Sequence, residues 1–422
     1  MNLEQIIAIT VFLLVMIAII SERIHRSVAA LSGAVLLFAT HVLTIESAVE
    51  YVDLNTIGVL VGMMLFVAVV KNSGMFEYIA VKAAKMTRGQ PLAIMVVFTV
   101  ITTVLSAFLD NVTTVLLIGP MTVAITQILE LNPTPFLISQ IFASNIGGTA
   151  TLIGDPPNIM IGSSAGLSFL DFIQNTAPVV CIILLVLVGL LYLTQGKRLT
   201  VAEKNQKKVL LLDEKRAIKN HGLLMKSVVM IVLVVVGFVF HDQLGIESAT
   251  VALIAAAVML LVGGQDAEEI ILGVEWSTIL FFIGLFVVVG GLNSTGVIAM
   301  LANEMLKLVG DNMVVAIILI LWASALISAF LDNIPFVATL IPMILTMESG
   351  GMDVTPLWWA LSLGACLGGN GSLIGASANV VLAGVSAKNG YPITFMQYLR
   401  VGFPMMLLSV AISTVYLLLR FA

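Results

Sequence analysis

Long apolar runs follow one another along the whole chain, and they are of two kinds. Uninterrupted runs predict spanning helices near 4–20, 28–44, 55–70 and 176–194, then near 224–240, 248–262, 276–291 and 401–421. Roughly 20 apolar residues at about 1.5 Å each cross a hydrocarbon core, which is the length these runs have. The other runs are broken by polar residues, glycine or proline. Residues 92–130 read as two apolar arms around Asp110-Asn111, and 313–347 as two arms around Asp332-Asn333. Residues 136–165 are cut by Gly147-Gly148, Gly154 and Pro156-Pro157, and 357–386 by Gly368-Gly369 and Gly375. Each piece of these last two is too short to cross alone, so each segment reads as one broken helix. The basic stretch 71–91 reads as a loop. The charged stretch 195–222 reads as a linker, with Val209–Leu212 predicting a helix on the membrane surface.

Composition agrees with the pattern. The 422 residues are 60% hydrophobic and only 10% charged, with a mean hydropathy of +1.13, whereas soluble domains carry about 25% charged residues. The chain is expected to be a polytopic α-helical membrane protein, since helices satisfy their own backbone in lipid. No nucleic-acid partner and no enzymatic constellation is read from it. Cys181 and Cys366 lie far apart in apolar runs, and the four histidines (His25, His41, His221, His241) are scattered, so neither a disulfide nor a structural metal site is expected. The first run, Leu3 to Ile20, lacks a basic leader and a cleavage site and reads as a retained span.

The two halves repeat. Ser106-Ala107-Phe108-Leu109-Asp110-Asn111 returns as Ser328-Ala329-Phe330-Leu331-Asp332-Asn333. At the same spacing Val52-Asp53-Leu54-Asn55-Thr56-Ile57 returns as Val274-Glu275-Trp276-Ser277-Thr278-Ile279. One residue short of it, Gly147-Gly148, Leu152-Ile153-Gly154 and Asn158 return as Gly368-Gly369, Leu373-Ile374-Gly375 and Asn379. The organisation is then 1–194 as a first repeat (scaffold 1–91, hairpin 92–130, broken helix 136–165), 195–222 as a cytoplasmic linker, and 223–422 as a second repeat (scaffold 223–292, hairpin 313–347, broken helix 357–386). A two-armed segment returns to the side it left, so each half crosses an odd number of times and the halves are inverted. Secondary transporters are built this way. Placing the N-terminus outside puts every basic residue except Lys307 and Arg420 on the inner side, so both termini are expected outside.

Backbone that leaves a helix at membrane depth is tolerated where it lines a wet cavity. The breaks therefore nominate the site residues: Asp110, Asn111, Thr113, Thr114, Asn145, Gly148, Thr149, Thr151, Asp155, Asn158, Asp332, Asn333, Gly369, Asn370, Ser372, Ser377 and Asn379. Carboxylates inside spans are costly and mark function by default, so Asp110, Asp332 and Asp155 are the candidates to bind protons or cations. Plainer roles stay open: an aspartate can cap the helix after it, and glycines can serve tight packing. Cys366 reads as a buried structural thiol. The repeat is imperfect, because Asp155-Pro156-Pro157-Asn158 has become Ala376-Ser377-Ala378-Asn379 and Thr113-Thr114 has become Pro335-Phe336. No Lys or Arg falls in the middle of an expected span, so the acids are expected to stand without basic partners.

Ala107–Thr114, Asn145–Asn158 with its Gly154-Asp155-Pro156-Pro157-Asn158 stretch, and Ala329–Phe336 closely resemble the ion transporter superfamily, nearest its arsenite permease and pink-eyed-dilution P-protein branch. The resemblance spans essentially the whole chain. It implies about ten transmembrane helices plus two re-entrant hairpins in an inverted repeat, a homodimer, elevator-like alternating access, and a site between hairpin tips and broken helices. Related carriers include sodium/proton antiporters and citrate or dicarboxylate carriers. The expected function is secondary transport of a small inorganic ion or neutral hydroxide across a prokaryotic inner membrane, coupled to H⁺ or Na⁺ with no other cofactor. Arsenite or antimonite efflux comes first, Na⁺/H⁺ antiport second, and a citrate or other anion carrier or an anion channel third. A Na⁺ ion could sit at the hairpin tips.

Overall fold

The computed structural model describes residues 1–21, 23–196, 198–310 and 312–421, which leaves Lys197 of the linker outside it. All its regular structure is helical. The first half holds α1 (Leu3–Ile20), α2 (Arg26–Ala39), α3 (Ile45–Tyr51), α4 (Leu54–Lys71), α5 (Met75–Met86), α6 (Pro91–Phe108), α7 (Asn111–Ile128), α8 (Thr134–Gly148), α9 (Pro156–Ala165), α10 (Phe169–Asn175) and α11 (Ala177–Gln195). Between the halves come α12 (Glu203–Leu210) and a 3₁₀ turn at Glu214–Ala217. The second half holds α13 (His221–Phe240), α14 (Ser248–Gly263), α15 (Ala267–Leu272), α16 (Trp276–Ser294), α17 (Val297–Val309), α18 (Met313–Ser328), α19 (Asn333–Ser349), α20 (Thr355–Gly368), α21 (Ser377–Lys388) and α22 (Phe395–Phe421). Eight of these helices are long and apolar enough to cross a membrane: α1, α4, α6, α7, α11, α13, α16 and α22. Leu13, Leu14, Leu185, Leu193 and Leu233 stay exposed on their outer faces, as lipid-facing side chains do.

The inversion is visible in the contacts. The end of α4 lies on the linker face, where Lys219 N–H donates to the Ser73 carbonyl at 3.1 Å. The end of α16 lies on the opposite face, where the Thr295 carbonyl accepts from Gln5 beside the N-terminus at 3.1 Å. Hairpin α6–α7 opens toward the linker face and α18–α19 toward the other. Packing follows the same two-fold: α4 lies along α14, α2 along α16, α6 along α8, and α18 along α20. Across the halves α7 meets α21 and α9 meets α19.

Glycine permits the closest of these approaches. A Cβ on Gly147 would collide with the Thr103 backbone, and one on Gly368 would meet the Ala325 carbonyl at 2.7 Å. Both glycines thus seat a broken helix against a hairpin arm, which is the packing role small residues play in membranes.

One segment differs from its expected form. The basic stretch 71–91 is not a loop, because Met75–Met86 forms an amphipathic helix started by Gly74 at φ +82°. Its repeat partner α17 starts at Gly296 with φ +75°. Glycine alone takes that left-handed turn without strain. The linker forms a short helix at Glu203–Leu210 that is held against the first half. Val209 is fully buried, and the linker is pinned by Lys85–Glu214 at 2.5 Å and Lys208–Glu130 at 3.3 Å. α12 packs on α5 and α7, while Leu210 and Leu211 of the apolar patch stay exposed.

Candidate functional site

Each break exists because its residues cannot continue a helix. Leu109 and Asp110 are extended, with ψ of 155° and 154°, which ends α6 and restarts the chain as α7. Pro156 and Pro157 lack the N–H groups a helix interior needs but suit a first turn, so α9 begins there. The freed backbone of the broken helices is then satisfied by side chains. The Asn158 amide donates to the carbonyls of Gly148 (3.2 Å), Thr149 (3.3 Å) and Thr151 (2.9 Å). Its repeat partner Asn379 donates to Gly369 (2.7 Å) and Ser372 (2.9 Å). Thr151 and Ser372 tie the breaks to the hairpins through the carbonyls of Ala107 and Ala329. Thr149 donates to Asn145 O at 2.7 Å.

The two breaks also meet across the two-fold. The Asn145 amide donates to Oδ1 of both Asn370 and Asn379 at 3.0 Å, while Ser362 donates to Asn158 Oδ1 at 2.7 Å. This knot is buried and its members are largely committed to one another. Asn111 joins its edge, 3.4 Å from Asn145 Oδ1. The side-chain amide nitrogen of Asn370 and the hydroxyl of Thr114 have no partner among the described residues. Gly148 and Gly369 bring their backbones against the Gly154 and Gly375 carbonyls across each break.

The three aspartates are held in three ways. Asp110 caps α7: its Oδ1 accepts from Thr113 N–H at 2.8 Å and its Oδ2 from the Thr113 hydroxyl at 2.5 Å. Asp332 caps nothing. Its Oδ2 lies 3.1 Å from Arg26 Nη1 and accepts a longer contact from Ser377 at 3.4 Å. Asp155 is 1% exposed, makes no capping bond, and neither carboxylate oxygen has a hydrogen bond among the described residues. The Cys366 thiol and the Asn333 amide are its polar neighbours, outside bonding geometry.

Arg26 corrects the expectation that the acids lack a basic partner. It occupies the first turn of α2 rather than a solvated loop. From there Nη1 donates to Ser377 at 2.5 Å as well as to Asp332, Nη2 donates to Thr278 at 3.0 Å, and the guanidinium lies 5.2 Å from the Phe281 ring centre. Thr278 in turn donates to Glu275 at 3.1 Å. Arg26, Thr278 and Glu275 were not among the residues nominated from sequence. Two signals pointed to them. Glu275 is the repeat partner of Asp53, and an arginine at a helix N-terminus opposes the helix dipole, so it needs a nearby acid.

A cavity of about 30 Å³ lies at the convergence, lined by Asp110, Asn111, Asp155, Asn333 and Ser377 together with Arg26, Glu275 and Thr278. Two larger cavities flank it toward the linker face. One of about 340 Å³ runs between α1, α2 and the second hairpin tip, and one of about 250 Å³ lies between α4, α7 and α15 and is lined by Thr113. Thr114, Asn145, Thr149, Thr151, Asn158, Asn370, Ser372 and Asn379 stand behind the cavity wall in the buried knot.

Comparison with known proteins gives the family and the fold. The family model described as "CitMHS: Citrate transporter" matches residues 16–364. An uncharacterised transporter of Mycobacterium tuberculosis, Rv2684, is 44% identical over 424 residues and covers 99% of each chain. The P protein of Homo sapiens is 34% identical over 95% of this chain, which spans 58% of that longer protein. Among solved structures, the YdaH transporter of Alcanivorax borkumensis superposes with a TM-score of 0.63 over 92% of this chain and 88% of that one, at 16% identity, which speaks to fold alone. The chain is a multi-pass membrane transporter that belongs to the citrate-transporter family of the ion transporter superfamily, on the branch that includes the P proteins.

Proposed function

We propose that the chain is a secondary active transporter that moves a small inorganic ion or neutral hydroxide coupled to H⁺ or Na⁺, and that Asp155 carries the coupling ion. The observation behind this reading is the Asp155 carboxylate, sealed from solvent with both oxygens unpartnered, on the wall of the central cavity. An ionised carboxylate in such a place is costly unless a proton or a cation joins it. Asp110 is occupied by its cap and Asp332 by Arg26, so Asp155 is the free member of the three. In this reading the hairpins and broken helices form the moving unit. The α2–α16 and α4–α14 pairs form a scaffold that dimerises in a prokaryotic inner membrane, with the linker cytoplasmic and both termini outside.

Arsenite or antimonite extrusion is the first cargo to test. Na⁺/H⁺ exchange is the second reading, favoured because a 30 Å³ cavity beside acids suits a bare cation. Proteoliposome flux under a pH or sodium gradient separates them: arsenite moved uphill supports the first, and Na⁺ flux with no other solute supports the second. Rates that persist without any coupling ion contradict both.

A further inference from the structure

Arg26 and Ser377 are the two side chains that line both the 340 Å³ cavity and the central one. A solute passing from the larger cavity to the centre must move past this guanidinium. We propose that Arg26 is an anion-binding gate, and that the cargo is a small monovalent anion which takes the place of the Asp332 carboxylate on it. The proposal rests on the transport reading above and narrows its cargo.

Four features carry the assignment. The Arg26 side chain is 23% exposed and its partner Asp332 13%, so the pair faces the cavity rather than being sealed in the protein. Apart from Asp332 the guanidinium is held by two neutral hydroxyls, Ser377 and Thr278. These would remain as co-ligands if the carboxylate withdrew. Asp332 sits on a hairpin tip without a capping bond to anchor it, so its departure breaks no helix cap. A guanidinium is a planar fork of donors that fits a carboxylate or an oxyanion equally well.

The charge balance sets the valence. One arginine faces Asp110, Asp155 and Glu275 around the central cavity, with its partner Asp332 and His25 bordering the larger one. Arg26 can offset one negative charge, and a polyvalent anion would meet the acids unshielded. Any anion that goes beyond Arg26 needs cations or protons on those acids, which ties its passage to the coupling ion.

The test is binding of nitrate and acetate to the purified full-length protein in nanodiscs, followed by thermal shift. Asp332→Asn removes the internal competitor and is expected to tighten nitrate binding by about tenfold, the scale set by the fraction of sites freed. Arg26→Gln is expected to lose binding, and Arg26→Lys to weaken it. Size-exclusion profiles check that each variant is folded, and the opposite signs of the Asp332 and Arg26 effects cannot arise from general damage. Weaker or unchanged binding in Asp332→Asn overturns the gate, as does wild-type binding in Arg26→Gln. Uphill transport of neutral arsenite by Arg26→Gln at the wild-type rate overturns the gate and leaves the transport reading standing. Absence of any coupled flux in wild-type liposomes, with nitrate binding retained, overturns the transport reading alone.

Discussion

At the first hairpin tip Asp110 turns back on its own helix and binds Thr113. At the second tip the same Ser-Ala-Phe-Leu lead brings Asp332 out to Arg26 on α2. One substitution within the repeat accounts for the divergence. Thr113 became Pro335, which offers neither the N–H nor the hydroxyl that Asp110 uses. A partner on another helix replaced the lost cap, and at the position equivalent to Arg26 the second half has Ser248. The broken helices diverge likewise, since Ala376 stands at the position equivalent to Asp155. Duplication thus supplied a symmetric frame, and a few substitutions made its charges unequal.

The comparison can be broken in several places. The largest effect is expected at Asp155, where Asp155→Asn should lower coupled uphill flux by about two orders of magnitude, the scale on which a positioned proton-transfer group acts. Its folded stability should hold or rise, because a buried carboxylate without partners is removed. Next comes Arg26→Gln, which strands Asp332 without its cation. Removing one partner of a buried pair costs about 3–5 kcal/mol, and the partial exposure here reduces that to about 2 kcal/mol in thermal unfolding. Asp110→Ala should cost about 1 kcal/mol as a lost cap, and Asp110→Asn only a few tenths, since asparagine caps as well. A large loss of stability in Asp332→Ala matched by none in Arg26→Gln would dissolve the contrast between the tips.

The smallest effect concerns the linker, which is fastened to the first half through α5 and α7. The Lys85 ammonium holds the Glu214 carboxyl below its usual range. A depressed carboxyl contributes its contact above the unfolded range and loses it as pH falls through the folded one. Amide-exchange protection around Glu214 should therefore fall in acid and at high salt, with the hairpins unaffected.

The frame was legible in the sequence because apolar length and repeat spacing are local properties. The expected span 55–70 is α4 at Leu54–Lys71, and the expected span 176–194 is α11 at Ala177–Gln195. The breaks were legible because Pro156-Pro157 begin a helix rather than continue one, and the paired glycines close the helices before each break. Two things were not legible. Met75–Met86 carries three charged residues in a short helix, so its lysines masked its amphipathic face. Arg26 lies far from Asp332 in sequence, and its meeting with that acid depends on how α2 packs on α16, which no local pattern records. Asn158 and Asn379 show the same limit: composition marks them as polar groups in a span, and only packing reveals that their amides hold the broken backbone.

The most direct test sets Asp110→Asn, Asp155→Asn and Asp332→Asn side by side in solid-supported membrane recordings with pH and sodium jumps. The account expects Asp155→Asn to abolish the transient current, and the other two to keep it with altered size. A current retained in Asp155→Asn and lost in Asp110→Asn or Asp332→Asn would contradict it.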